Sequence, residues 1–243
     1  MRADLYLATF GYADSRQKAS LYIKNGVVSI DSRKILKPSA EIDEKQEHTV
    51  LVEFTESDIY VSRGALKLRS AIDAFGINVT ENVCVDIGAS TGGFTDCLLQ
   101  NGAIRVHAVD VGTNQLVWKL RNDPRVVVKE QFNARYMTPA DLGEKVQLIV
   151  SDVSFISLTK ILPAAYDCLE ESGDMLVLIK PQFELQPEDI GPGGIVRDPE
   201  LHQRAVDKIH DFVVNELHRE WCGVADSPIT GMEGNKEFLA WLR

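Results

Sequence analysis

Cys84-Val85-Asp86-Ile87-Gly88-Ala89-Ser90-Thr91-Gly92-Gly93-Phe94 is the stretch that decides the fold. Val83 to Ile87 is a β-branched apolar run carrying one acid near its end, the pattern of a buried strand. Gly88, Gly92 and Gly93 follow, so the backbone can turn tightly and lie close to a ligand. Phe94 to Asn101 then reads as a short helix that Gly102 stops. A strand, a glycine-rich loop and a helix N-terminus in that order make a nucleotide-type site. The next strand, Val106 to Asp110, ends in a second acid. It stands about 20 residues beyond Gly88, where a doubly wound fold places its ribose-binding carboxylate.

Three readings of the loop compete. Gly88-Ala89-Ser90-Thr91-Gly92 matches the Gly-x-Ser-x-Gly nucleophile elbow of the α/β-hydrolases. A dinucleotide loop wants glycine where Ser90 stands, because that glycine lets the backbone approach a pyrophosphate, so NAD and FAD are disfavoured. S-adenosylmethionine has no phosphate; it needs a tight turn for its methionine part and an acid for its ribose, and the loop offers both. The loop therefore favours S-adenosylmethionine, with a hydrolase or a loop without ligand as the alternatives. On the favoured reading Gly88, Ser90 and Gly92 cradle the methionine end, Asp110 binds the ribose hydroxyls and the Asn133 region lies near adenine. Asp86, Ala89, Gly93, Phe94, Val111 and Asp152 complete the expected cofactor contacts.

The chain has 243 residues, 44% of them hydrophobic, enough for one or two globular domains. No apolar run approaches the roughly 20 residues that span a bilayer. The start lacks an apolar core before a cleavage site, so no signal peptide is expected and the location should be cytoplasmic. Cys84, Cys97, Cys168 and Cys222 are scattered in apolar runs without Cys-x-x-Cys spacing, which points to free thiols in a reducing compartment. No His/Cys cluster suggests a metal. The net charge of −10 argues against nucleic acid at face value, but residues 1–37 hold seven Lys/Arg against three acids. Such an asymmetry points to RNA or DNA better than the total does.

In chain order, Ala3 to Phe10 reads as a helix, Asp14-Ser15 as an N-cap signal, and Gln17 to Asn25 as a second helix stopped by Gly26. Val27 to Ile30 is a strand, Asp31-Ser32 a turn, Lys34 to Leu36 the return, and Thr49 to Phe54 a further strand. Gly64 to Phe75 is an amphipathic helix with Lys67 near its start. After the central loop, strands at 125–129, 146–153 and 174–180 alternate with helices at 114–121 and 158–168, followed by a helix at 199–217. Final strands at 220–225 and 237–242 are expected antiparallel at the edge. This alternation, with near-continuous apolar strands, predicts a mostly parallel sheet covered on both faces. Asp86, Asp110, Asp152 and Lys180 each fall at or near the carboxyl end of a strand, the edge at which open α/β sheets bind ligands.

Two resemblances sharpen this. Arg2-Ala3-Asp4-Leu5-Tyr6-Leu7, Ser15-Arg16-Gln17-Lys18-Ala19 and Ile23-Lys24-Asn25-Gly26-Val27-Val28 resemble the alpha-L RNA-binding motif, whose bases meet phosphates. The loop at 86–96, Ala108 to Gly112, Asp152 to Leu158, Lys180 to Glu184 and Ser227 to Gly231 resemble the TlyA family over essentially the whole chain. The resemblance implies an α/β fold: a Rossmann-like S-adenosylmethionine-dependent methyltransferase with a mostly parallel seven-stranded sheet at 59–243. A small α+β alpha-L domain at 1–58 precedes it. It implies methylation of the ribose 2′-oxygen of cytidine in ribosomal RNA, with ribosomal RNA or ribosomal subunits as partners and no membrane or metal. The family also carries the label haemolysin. In FtsJ-like enzymes the catalytic set is Lys-Asp-Lys-Glu, which falls here on Lys67, Asp152, Lys180 and Glu237. RNA contacts are expected from Arg2, Arg16, Lys18, Lys24 and Arg63. An RNA-binding protein with a degenerate methyltransferase fold, or a haemolysin acting indirectly, are the alternatives. The oligomeric state is left open.

Overall fold

The computed structural model describes residues 1–53, 60–231 and 234–243. The chain divides into two compact units, Met1–Ile59 and Tyr60–Arg243.

In the first unit, α1 (Ala3–Thr9) and α2 (Arg16–Lys24) pack on a small antiparallel sheet. Its strands are β1 (Val28–Ile30), β2 (Arg33–Lys34) and β3 (Val50–Val52), in the order β2-β1-β3. The Ser15 hydroxyl caps α2 by accepting from Lys18 N at 3.2 Å. Asp31 and Ser32 both adopt positive φ, +51° and +63°, the left-handed pair that closes a two-residue hairpin between β1 and β2. Leu7, Ala19, Ile23 and Val28 are fully buried in the core between helices and sheet. Phe54, expected to end the third strand, lies outside the described residues, as does the expected domain boundary after residue 58.

The second unit opens with α3 (Gly64–Phe75) and builds β4 (Val83–Ile87), α4 (Gly93–Gln100), β5 (Arg105–Val109), α5 (Trp118–Arg121) and β6 (Val126–Lys129). It continues through α6 (Pro139–Leu142), β7 (Val146–Ser151), α7 (Leu162–Cys168), β8 (Leu169–Ile179), α8 (Pro181–Glu184), α9 (Pro199–Asp211), β9 (Trp221–Asp226) and β10 (Phe238–Leu242). The seven strands run in the order β6-β5-β4-β7-β8-β10-β9. Strands β4 to β8 pair in parallel, and β10 is antiparallel to both β8 and β9. Alternation along each strand divides the core. Val85, Ile87, Ile149, Val177 and Ile179 pack on one face with α7 and α9. Cys84, Leu148, Val150, Leu176 and Leu178 pack on the other with α3 and α4.

Several boundaries differ from the sequence expectation. The helix read at 114–121 is only α5, because Asn114 takes φ +56° and Val117 N is bonded to Thr91 O. The helix at 158–168 splits into a tight turn at Leu158–Lys160 and α7, with Pro163 in the first turn, where its missing N–H costs nothing. α9 ends at Asp211 and passes into a π-helical turn at Phe212–Glu216. Strand β8 begins at Leu169, five residues early, because Leu169 pairs with Val146 of β7; the polar run Glu170 to Gly173 then forms a bulge, and pairing resumes between Asp174 and Leu148. The two final strands do lie together at one end of the sheet, antiparallel as expected, with β9 outermost and β10 between it and β8.

Candidate active site

The sheet order reverses between β4 and β7: β5 and β6 lie on one side, β8 and beyond on the other. Ligands in open α/β sheets bind outside the carboxyl ends of the strands at such a point. Here the chain leaving β4 touches the chain leaving β7. Asp152 N donates to Ile87 O at 3.0 Å. A Cβ on Gly88 would stand 2.5 Å from the Asp152 carbonyl oxygen, and Gly88 has φ +84°, so only glycine fits there. Gly92 closes the loop with φ +98° under Leu116 and Leu120, and Gly92 N bonds Ala89 O at 2.7 Å.

A cleft of about 640 Å³ opens at this edge. Of the expected cofactor contacts, Gly88, Ala89, Ser90, Gly93, Phe94 and Asp152 line it. Asp86, Gly92, Asp110, Val111 and Asn133 do not, each for a visible reason. Asp86 is one residue inside β4 and points into the sheet face, fully buried, with Thr95 Oγ1 donating to its Oδ2 at 2.7 Å. Its Oδ1 has no hydrogen-bond partner. Burial pushes its carboxyl up to about 7, against the opposing Thr95 bond and with the nearby Asp152 and Asp110 charges adding to the rise. Gly92 is covered by the two leucines. Asp110 spends its carboxylate on the loop, accepting from Ser90 N at 2.8 Å and Gly112 N at 2.7 Å. Val111 is exposed, and Asn133 caps the turn at Ala134–Tyr136 by accepting from Arg135 N. The backbone bonds Phe132 N to Asp110 O and Gln131 N to Gly112 O hold the Asn133 segment beside Asp110.

The four expected catalytic residues converge on the cleft. Lys67 comes from α3, Asp152 from the end of β7, Lys180 from the end of β8 and Glu237 from the start of β10. They form one alternating chain of charge. Glu237 Oε2 lies 2.6 Å from Lys67 Nζ, Lys67 Nζ 3.8 Å from Asp152 Oδ2, and Asp152 Oδ1 2.6 Å from Lys180 Nζ. The Glu237–Lys67 contact is an ion pair without hydrogen-bond alignment. Lys180 Nζ also donates to Ser154 Oγ at 2.9 Å and stands 5.8 Å from the centre of the Phe183 ring. Gly231 makes room for Glu237: a Cβ there would meet Glu237 Oε1 at 2.5 Å. Asn235, buried, ties this strand approach to the neighbouring loop, its Oδ1 accepting from Val196 N and its Nδ2 donating to Gly194 O.

Ser154, Phe155, Gln182, Phe183, Ile229 and Thr230, which lie in the motifs of the family resemblance but were given no role there, also line the cleft, as do Ser62, Ile190 and Gly194. Ser154 had a signal, a hydroxyl two residues beyond the acid that ends a strand. Ile190 and Gly194 had none, since their place depends on a turn far along the chain. Ser90 has the positive φ (+47°) of a nucleophile elbow, but no described histidine lines the cleft to activate it.

The cations expected on RNA are placed differently from one another. Arg2 forms a two-pronged pair with Asp4 at 3.0 Å for each bond, and Arg16 Nε reaches Asp4 Oδ2 at 3.1 Å. The bonds from Arg2 and Arg16 hold the buried Asp4 carboxyl down at about 2. Lys18 Nζ pairs with Asp14 at 2.5 Å. Lys24 is exposed at the last turn of α2, and Arg63 is an exposed residue of the cleft wall.

The FtsJ-like methyltransferase family matches residues 60–243. The chain is 46% identical, over all of its length and 89% of the relative's, to the 16S/23S rRNA (cytidine-2′-O)-methyltransferase TlyA of Mycobacterium tuberculosis. It is 44% identical to Hemolysin A of Brachyspira hyodysenteriae, covering 99% of this chain and 98% of that one. A solved structure from Streptococcus thermophilus that bears the hemolysin label superposes with a TM-score of 0.75 at 43% identity, over 100% of this chain and 87% of that one. No described helix is long and apolar enough to cross a membrane. With its fold, its charged cleft and these relatives together, the chain belongs to the TlyA family of FtsJ-like methyltransferases.

Proposed function

We propose that the protein transfers a methyl group from S-adenosylmethionine to the ribose 2′-oxygen of a cytidine in ribosomal RNA, in the cytoplasm. The observation that carries this reading is the charge chain Glu237–Lys67–Asp152–Lys180, closed within one cleft beside the glycine loop. An intact chain of this kind argues against an RNA-binding protein with a decayed enzyme fold.

The residues of the cleft fit the cofactor. Its volume lies within the roughly 300–1,000 Å³ of small-molecule sites. Gly93 and Phe94 bring the N-terminus of α4 to the wall, and the first N–H groups of a helix lack partners within it, which suits a carboxylate such as that of methionine. Gly88, Ala89 and Ser90 would hold that end, while Asp110 and Val111, with Asn133 beside them, border the ribose and adenine side. Asp86 would act from below, through Thr95 and α4. When bound, the sulfonium supplies an already electrophilic methyl.

The chain's own residues then have two tasks, holding the ribose hydroxyl in line and taking its proton. Lys180 is placed for both: as the ammonium paired with Asp152 it orients the hydroxyl, and it takes the hydroxyl proton only after passing one of its own to Asp152 or to water. It emerges from an apolar strand, and Pro181 keeps Lys180 extended at φ −113°, ψ 105°. Asp152 and Ser154 fix its nitrogen from one side. Lys67 and Glu237 set the charge that Asp152 presents. Arg63 and the first unit's Arg2, Arg16, Lys18 and Lys24 would hold RNA phosphates, the first unit serving as an alpha-L RNA-binding domain.

The test is transfer from tritium-labelled S-adenosylmethionine to purified ribosomal subunits, followed by mapping of the modified nucleotide. A labelled 2′-O-methylcytidine is expected. Label on a base, or none on either subunit, would reject the reading.

A further inference from the structure

Glu184 closes α8, one turn after Lys180, and is buried although it carries a charge. Burial pushes its carboxyl above the usual range, and its hydrogen bonds and Lys208 oppose that rise. It is not a wall of the cleft. Both of its oxygens instead reach the loop that leaves β7. Oε1 accepts from Leu158 N at 2.8 Å, and Oε2 accepts from Ser157 Oγ at 2.5 Å. Lys208 of α9 balances the charge, donating to Glu184 Oε2 at 3.2 Å and to its carbonyl oxygen at 2.5 Å.

The loop so held runs from Asp152 to Ser157 without regular structure. It carries three cleft residues, Asp152, Ser154 and Phe155, and Phe155 sits at φ +64°, a strained conformation for an aromatic residue. One end of the loop is pinned by Asp152 N on Ile87 O. The other is pinned by Glu184, which belongs to the segment that carries Lys180. Asp152 and Lys180 are therefore fastened to each other twice, directly at 2.6 Å and again through the Glu184 clamp on Ser157 and Leu158.

We propose that Glu184 is a positioning residue for catalysis: it holds the far end of the 152–157 loop to the Lys180 segment, and so fixes Asp152 and Ser154 against the Lys180 nitrogen. This rests on the methyltransferase reading above. Misplacement of a catalytic group by about 1 Å can cost roughly 100-fold in rate, which sets the scale of the effect.

The test compares Glu184→Ala and Glu184→Gln with the wild type in the full chain. It uses steady-state methylation of ribosomal subunits, calorimetry with S-adenosylhomocysteine, and hydrogen exchange of the protein alone. Glu184→Ala should lower kcat roughly 10- to 100-fold, with KM for the subunits and affinity for S-adenosylhomocysteine unchanged. Exchange at the Leu158 amide should quicken, while the β7 amides stay protected. Glu184→Gln keeps an oxygen for Leu158 N and should recover part of the rate and of the protection. A folded Glu184→Ala protein with wild-type kcat overturns the proposal. So does a fall in kcat matched by an equal fall in S-adenosylhomocysteine affinity, because that would be a general loss of the site. If the alanine variant does not fold, the glutamine variant decides: slower turnover with faster Leu158 exchange supports the clamp, and wild-type values for both overturn it. A wild type with no turnover would reject the methyltransferase reading itself, and exchange at Leu158 would still report whether Glu184 holds the loop.

Discussion

Lys67 Nζ and Glu237 Oε2 stand 2.6 Å apart, one on the first helix of the methyltransferase domain and the other at the start of its strand β10. Their side chains are only 10% and 3% exposed, so each charge depends on the other. Removing one partner of a buried pair typically costs about 3–5 kcal/mol, because the other is left uncompensated. Lys67→Met should therefore destabilise strongly in denaturant unfolding, and Lys67→Met with Glu237→Gln should recover much of that loss while remaining inactive. Strictly additive effects of the two changes would mean that the pair is not coupled.

Lys180→Ala should retain S-adenosylhomocysteine and RNA binding and lose turnover. Loss of a general acid–base group costs roughly 10²–10⁴-fold. Single-turnover methylation at saturating RNA is the measurement, and a loss below roughly 10-fold would remove Lys180 as the principal catalytic group.

Asp110 holds the glycine loop through its bonds to Ser90 N and Gly112 N. Asp110→Ala frees both donors and removes the carboxylate from the side of the loop proposed for the ribose. Calorimetry should show S-adenosylhomocysteine affinity reduced at least about 10-fold, since hydrogen bonds to a charged group contribute about 1.5–3 kcal/mol each. Unchanged affinity would take Asp110 out of the cofactor's surroundings.

Asp86 makes stability depend on pH. Its folded-state carboxyl is raised to about 7 by burial, whereas in the unfolded chain it titrates near 3.9. The folded state keeps a proton that the unfolded state has released, so the stabilisation is complete below about pH 4 and is lost as pH rises through about 7. Thermal melts between pH 5 and 8 should show the wild type losing stability relative to Asp86→Asn, which cannot ionise. Parallel curves for the two proteins would show that Asp86 does not titrate in this range.

The proposed RNA contacts separate into two kinds. Arg16 is a partner of buried Asp4, so replacing it disturbs the small unit as well as any phosphate contact. Lys18→Ala and Lys24→Ala are the cleaner probes. Each should weaken binding to rRNA fragments and reduce the salt dependence by about one phosphate contact, leaving cofactor affinity alone. A double variant that binds as tightly as the wild type, with the same salt slope, would show that these lysines are not the anchor.

Much of this was legible in the chain because its signals are local. The run from Cys84 to Phe94 marks strand, turn and helix by residue type alone, and the structure has β4, the glycine loop and α4 there. Asp31-Ser32 marks a hairpin in the same way. Where boundaries failed, a distant partner had overridden the local pattern. Glu170 to Gly173 look like a loop and do form a bulge, yet β8 starts ahead of them because Leu169 finds a partner in Val146 of β7.

The sequence by itself determined the alternating βα order, the residue types at the strand ends and the glycines that only a close backbone approach explains. The tertiary structure decided which of those residues meet. Asp86 and Asp152 look alike in sequence, each an acid near the end of an apolar strand. Strand alternation turns Asp86 into the sheet face, against Thr95, while Asp152, just past β7, enters the cleft at the point where the sheet order reverses. Lys67 and Glu237 come from opposite ends of the methyltransferase domain. Their pairing depends on β10 inserting antiparallel beside β8, a long-range register that no local pattern encodes.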